Sequence, residues 1–227
     1  MAVADKRYIA SPLFPLMKFL VITDLHQATD NIPWINGLID EYSPEAVLCL
    51  GDITDMGTGE QAADIISQIK CKVYALPGNC DPRDLPQKIS EVAVDMHGKS
   101  AQIGDLYIAG LGGSNITIFD TPFELKEEEI DSMLRPISKP GMLLMTHAPS
   151  YDIFDHIPNG TPVGSPAIRK IVEDFKPVLA LSGHIHEDFG VQKIGDTVFC
   201  NPGPAKEKRA AVVEIAGKNV TVKMIEP

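Results

Sequence analysis

Nowhere in its 227 residues does this chain carry an apolar run approaching the ~20 that a membrane-spanning helix needs, so no such helix is expected. Its four cysteines, Cys49, Cys71, Cys80 and Cys200, lack paired spacing. A disulfide framework and a thiolate zinc cluster are therefore not expected, and a reducing cytoplasm is the natural compartment. Basic residues are in deficit, 20 Lys and Arg against 31 Asp and Glu for a net charge of −11. That balance argues against a surface gripping nucleic acid through its phosphates. Nor is a secretory signal expected, since Lys6 and Arg7 are followed by Pro12 and Pro15 without a cleavage pattern. Residues 1–16 read as an N-terminal appendage and 17–227 as a single domain, for which 44% hydrophobic content supplies one core.

What is present is a series of short apolar runs. Lys18 to Thr23, Ala46 to Leu50 and Lys72 to Leu76 have the density of strands buried on both faces. Helices are expected between them, from Pro33 to Tyr42 and from a Thr58/Gln61 capping box to about Lys70. This β-α-β-α-β opening predicts parallel strands that collect ligands at their C-terminal ends. Shorter segments follow, Val92 to Met96, Ala101 to Ile103 and Leu106 to Leu111, with an antiparallel look. A helix opening with Glu127-Glu128-Glu129, a strand Met142 to Met145, a long loop Pro149 to Gly164, a helix begun by Ser165-Pro166 and a strand Val178 to Leu181 come next. Two hairpins turning at Gly195-Asp196 and Gly217-Lys218 complete the chain.

Six polar clusters stand where apolar runs stop: Asp24-Leu25-His26, Gly51-Asp52, Gly78-Asn79-Cys80-Asp81, Thr146-His147-Ala148-Pro149, Gly183-His184-Ile185-His186 and Asn201-Pro202-Gly203. Asp24 and His26 flank one residue, so at an extended strand end they share a side and can chelate one ion; His184 and His186 repeat the spacing. Asp52 has two carboxylate oxygens that can bridge two cations, which neither His nor Asn can do. Asn79 offers a neutral carbonyl oxygen. Mixed imidazole and oxygen donors suit Mn, Fe, Zn, Ni or Co rather than Ca, and a two-metal set of this kind suits hydrolysis of phosphate esters.

Taken in order, Asp-x-His, Gly-Asp, Gly-Asn-x-Asp, Thr-His-Ala-Pro and Gly-His-x-His resemble the calcineurin-like metallophosphoesterase superfamily from about Met17 to Gly203. The Gly-Asn-Cys-Asp form resembles its prokaryotic Icc-like branch of predicted phosphoesterases. The resemblance implies an α/β fold, a four-layer αββα sandwich of two mixed β-sheets with helices outside and the metal site at strand C-terminal ends. It also implies two divalent or trivalent transition-metal ions, Mn foremost, with Fe, Zn, Ni and Co as alternatives. The first would be held by Asp24, His26, Asp52 and His186, the second by Asp52, Asn79, His147 and His184. A metal-activated hydroxide would attack phosphorus, with Asp52, Asn79, Cys80 and Asp81 as the catalytic set and no protein nucleophile. Asp81 is expected to orient a ligating histidine, His26 or another. Where many members have Gly-Asn-His, this chain has Cys80, and a thiol with an ordinary pKa of about 8.5 is a poorer leaving-group acid than imidazolium. Cys80 either replaces that acid or fills space.

The expected activity is hydrolysis of small phosphodiesters. Nucleotide pyrophosphatase, nuclease and phosphomonoesterase activities remain alternatives, as does a non-catalytic metal-binding scaffold, a use to which a retromer subunit puts this fold. The expected partner is a small phosphate ester, not a membrane or nucleic acid; homo-oligomerisation stays open. Among other residues, His97 is expected to be an ordinary core or surface residue, and His156 lies in the long loop where it could face substrate. The glutamates at 127–129 read as a solvated helix face. Gly112-Gly113-Ser114-Asn115 is either a backbone pocket for phosphate or base, or a connecting loop. Gly164-Ser165 could touch an anion at a helix N-terminus. Trp34, Met133, Met142 and Met145 read as packing.

Overall fold

Alternate residues of each central strand enter different cores, and this alternation builds the layers. In β1 (Met17–Ile22), Leu20 and Ile22 face one way while Met17, Phe19 and Val21 face the other. β2 (Ala46–Cys49) and β3 (Val73–Ala75) divide likewise, Val47, Cys49, Val73 and Ala75 on the first face, Ala46, Leu48 and Tyr74 on the second. The first face is covered by helices α1 (Ile32–Tyr42) and α2 (Gly59–Ser67), which contribute Ile35, Leu38, Ile39, Ala62, Ile65 and Ile66. Strands buried on both sides must be apolar at nearly every position, as these runs are. The capping box of α2 forms, with Thr58 Oγ1 accepting from the Gln61 amide and Gln61 Oε1 from the Thr58 amide. The computed structural model describes residues 15–227, so the appendage read at 1–16 lies almost wholly outside the described residues.

A short helix, α3 (Leu85–Lys88), leads to β4 (Val94–Asp95), then to β5 (Lys99–Ile103) and β6 (Leu106–Leu111). The two-residue strands β7 (Ser114–Asn115) and β8 (Glu124–Leu125) pair with each other and precede α4 (Glu127–Leu134). Then come β9 (Leu143–Thr146), α5 (Pro166–Phe175), β10 (Leu179–Leu181), β11 (Gly190–Ile194), β12 (Thr197–Asn201), β13 (Ala210–Ala216) and β14 (Asn219–Ile225). One six-stranded sheet has the order β14-β13-β1-β2-β3-β4 and the other β11-β12-β10-β9-β6-β5. β1, β2 and β3 are parallel; β13 runs antiparallel to β1, so the sheet is mixed. The second sheet is mixed in the same way, with β6, β9, β10 and β12 parallel and β5 and β11 antiparallel at its edges.

The sheets meet face to face through Phe19, Leu48, Tyr74, Ile108, Leu143 and Leu179. The outer face of the second sheet packs under α4 and α5 through Leu111, Leu144, Ala180, Ile130, Leu134 and Ile168. The result is the four-layer αββα sandwich. Met142 and Met145 are core residues, and Trp34 packs at the edge of the first core. One segment differs from expectation. β4 pairs parallel to β3, not in an antiparallel meander, because the chain crosses back through α3. The two C-terminal hairpins form where expected, the first at the edge of one sheet and the second at the edge of the other.

Candidate metal centre

Backbone hydrogen bonds continue beyond the strands and hold the polar clusters against one another. The Asp24 amide donates to Gly51 O at 3.0 Å, the His26 amide to Asp52 O at 2.8 Å and the Gly183 amide to His147 O at 2.9 Å. Asp24, His26, Asp52 and His184 all have left-handed backbones, with φ of 54°, 45°, 49° and 69°. Such conformations cost about 1–3 kcal/mol each in non-glycine residues and persist where the surroundings over-determine them. Two glycines allow the close approach: a Cβ on Gly78 would lie 2.0 Å from Asp52 Oδ1, and one on Gly183 would lie 2.0 Å from Thr23 Oγ1.

Each carboxylate anchors one oxygen and presents the other. Asp24 Oδ2 accepts from the His184 amide at 3.1 Å, while its buried Oδ1 has no hydrogen-bond partner. That free oxygen lies 3.2 Å from His186 Nε2 and 3.8 Å from His26 Nε2. Asp52 Oδ1 accepts from the Cys80 amide at 2.8 Å, while Oδ2 stands 3.6 Å from both His26 Nε2 and His147 Nε2. His26 and His186 bring their Nε2 atoms within 3.3 Å. Two donors each about 2.0–2.2 Å from one ion lie about 3–3.5 Å apart, so the spacings suit shared cations.

His147 carries the clearest chemical sign. Fully buried, its Nδ1 stands 2.8 Å from Leu50 O, which can only accept, so that nitrogen bears the proton. In the neutral ring the Nε2 lone pair then faces Asn79 Oδ1 at 2.9 Å. The amide is not free to flip, because Asn79 Nδ2 donates to Thr121 Oγ1 at 3.2 Å and to Cys80 Sγ at 3.5 Å. Two acceptors set face to face in this way can share a cation. The ring of His184 lies 5.1 Å from that of His147. The site thus divides into Asp24, His26 and His186 on one flank and Asn79, His147 and His184 on the other, with Asp52 between.

The electrostatics fit the same use. Burial holds His26 down at about 4 and His184 at about 3, so both present lone pairs at neutral pH. Burial, helped by the neighbouring Asp24 and Asp81 carboxylates, pushes the Asp52 carboxyl up to about 7. Burial opposes ionisation of Asp24 too, but the His186 imidazole 3.2 Å from its Oδ1 and the nearby His147 outweigh it and hold that carboxyl far below its usual range. Burial, and then Asp52, drive the half-buried Cys80 thiol well above its ordinary value. Cys80 Sγ belongs to a group in which it, His26 and Asp52 each place a donor atom within 4.8 Å of the others.

Several expectations are corrected. Asp81 does not orient a histidine: its oxygens accept from the Ile53 and Thr54 amides, the Thr54 hydroxyl and the Gly78 amide, at 2.8–3.1 Å. It ties the Asp52 loop to the Asn79 loop. The loop at 112–115 is no phosphate cradle, because the amides of Gly112, Gly113 and Ser114 already donate to His97 Nδ1, Pro77 O and Phe123 O. Glu127 is not merely solvated; its Oε2 accepts from Ser165 Oγ and the Ala167 amide, so the anion at the α5 N-terminus is the chain's own. His156 points its Nδ1 at Asp155 and Asp188, not at the clustered donors. His97 packs against Phe123.

Thr121 left no signal in the sequence, and the role of Asn201, in the sixth polar cluster, shows only in the fold. Thr121 donates its hydroxyl to Glu124 Oε1 at 2.8 Å while accepting from Asn79, so a residue 42 positions away sets the amide's orientation. Asn201 Nδ2 grips the Ile185 and Asp188 carbonyls at 2.9 and 3.0 Å, holding the loop that carries His184 and His186.

Convergent His, Asp and Asn donors at the strand ends of a two-sheet sandwich are a set that could hold metal ions for hydrolysis. The calcineurin-like phosphoesterase family matches residues 17–188, and the chain belongs to that family: it is a metallophosphoesterase. An uncharacterised protein of Methanocaldococcus jannaschii, MJ1162, is 35% identical over 198 residues, covering 83% of this chain and 88% of its own. TT1561 of Thermus thermophilus shares the fold with a TM-score of 0.70 at 13% identity, over 92% of this chain and 99% of its own. A dimetal phosphatase from Danio rerio does so at 0.68 and 11%, over 95% and 97%.

Proposed function

We propose that this chain is a binuclear, Mn-preferring phosphodiesterase of the cytoplasm, acting on small phosphate diesters. The observation that carries the reading is the place of Asp52 Oδ2, 3.6 Å from a histidine on each flank, where one oxygen can serve two ions. Asp24, His26, Asp52 and His186 would hold one ion, and Asp52, Asn79, His147 and His184 the other. When bound, such a pair supplies Lewis-acid activation of water and screens the charge that develops on the phosphoryl oxygens.

The protein's own part is placement. Leu50 O fixes the His147 tautomer, Thr121 with Glu124 orients the Asn79 amide, and the Cys80 and His184 amides each pin one carboxylate oxygen so that the other faces inward. Cys80 favours diesters over monoesters. Its thiol keeps its proton and stands where relatives with Gly-Asn-His have an imidazole, so esters with a good leaving group suffer least. The free thiols of Cys49, Cys71, Cys80 and Cys200 favour a reducing compartment. Metal-stripped protein supplied separately with Mn, Ni and Zn, then offered aryl diesters, cyclic nucleotides and monoesters, tests the reading. Diester turnover restored best by Mn is expected; monoester-only activity, or full activity without metal, refutes it.

A further inference from the structure

Among the described residues, two carboxylate oxygens are buried with no hydrogen-bond partner: Asp24 Oδ1, in the centre described above, and Asp155 Oδ1. Asp155 is wholly buried at the foot of the long loop between β9 and α5. Its other oxygen is satisfied, accepting from the Asp152 amide at 2.9 Å and the Gly164 amide at 2.8 Å. Oδ1 instead lies 3.3 Å from His156 Nδ1, close enough for an ion pair but off the line of a hydrogen bond. The same nitrogen is in hydrogen-bond contact at 3.2 Å with Asp188 Oδ2, which also accepts from the His156 amide at 2.9 Å and sits on the loop that follows His184 and His186. One donor atom from each of Asp155, His156 and Asp188 lies within 4.8 Å of the others. An uncompensated buried carboxylate costs several kcal/mol, so this oxygen needs a positive partner.

We propose that Asp155 Oδ1, His156 Nδ1 and Asp188 Oδ2 form a third cation site, separate from the catalytic pair, that takes a divalent first-row transition ion of the Mn or Zn class. An imidazole with two carboxylates suits these ions over Ca or Mg. A single ion with bonds of about 2.0–2.2 Å can touch donors at these spacings. His156 is partly exposed, which leaves the site open to ions and to water as remaining ligands. Asp155 and His156 lie a few residues beyond His147, and Asp188 lies just beyond His186. An ion there ties the long loop to the strand end carrying the histidine pair, so its role is structural.

The test is anomalous diffraction from crystals of the full chain soaked in excess MnCl2, with metal content measured on the same preparation. Density bonded to all three donors is expected, and the content should fall by one ion per chain in His156→Ala and in Asp188→Asn. His156 is a solvent-facing loop residue, so its variant should stay folded, as a melting curve will check. No density between Asp155 and Asp188, or equal metal content in both variants and wild type, overturns the proposal; a protonated His156 would then bridge the two carboxylates. Density here without any beside Asp52 would sink the binuclear reading and leave this one standing.

Discussion

Replacing Asp81 with alanine should unfold the metal centre from behind, although Asp81 is assigned to neither ion. The wholly buried carboxylate accepts from three backbone amides, those of Ile53, Thr54 and Gly78, and from the Thr54 hydroxyl. An unsatisfied buried donor costs about 1–3 kcal/mol. The hydroxyl can rotate toward another acceptor, which leaves the three amides and a loss of about 3–9 kcal/mol. Set against a total of about 5–15 kcal/mol for an ordinary domain, this loss is severe. Asp81→Asn should be milder, since Oδ1 and its two donors from Thr54 survive while an NH₂ opposes the Ile53 and Gly78 amides. Because those amides belong to the loops bearing Asp52 and Asn79, metal affinity should fall together with stability, and excess Mn should restore part of it by mass action. Urea denaturation with and without Mn, paired with metal analysis, reads both. If Asp81→Ala stays within about 1 kcal/mol of wild type and holds its full metal complement, the tie between the loops does not matter as reasoned here.

Chelation should abolish activity and added Mn restore it, since water is a poor nucleophile near neutral pH unless cations lower its pKa. Asp52→Asn should empty both metal positions, whereas Asn79→Ala or His147→Ala should mainly weaken one; metal content per chain decides, and two ions retained in Asp52→Asn would remove the bridge. With the Asp52 carboxyl raised to about 7, its proton must leave before it can bind metal, so Mn affinity should fall as pH drops below about 7 and level off above it. Titration calorimetry showing flat affinity across that range would contradict the assignment. Cys80→His should speed hydrolysis of alkyl esters by up to about 10²–10⁴ while barely altering aryl diesters. A comparable gain on both classes would mean that leaving-group protonation is not what changed. Glu127→Ala should cost about 1 kcal/mol by uncapping α5, measurable as a lowered melting temperature with metal content intact.

What the sequence alone determined is local. Buried strands are apolar at nearly every position, so their ends could be read, and Asp24, Asp52, Asn79, His147 and His184 could be placed just beyond them. The caps at Thr58 and Ser165 were legible for the same reason: donor and acceptor lie three residues apart. Partners far apart in the chain were not legible. Asp81 reaches back 28 residues to Ile53, Glu127 reaches 38 forward to Ser165, and Thr121 turns an amide 42 residues behind it. Nor does a hairpin's own pattern say which sheet it will join. Those choices are made by the packing of two sheets on a shared core, which fixes which loops meet at the strand ends. Tertiary structure therefore decided that Asp81 binds backbone and no histidine, that the α5 N-terminus is filled by Glu127, and that His156 meets Asp155 and Asp188.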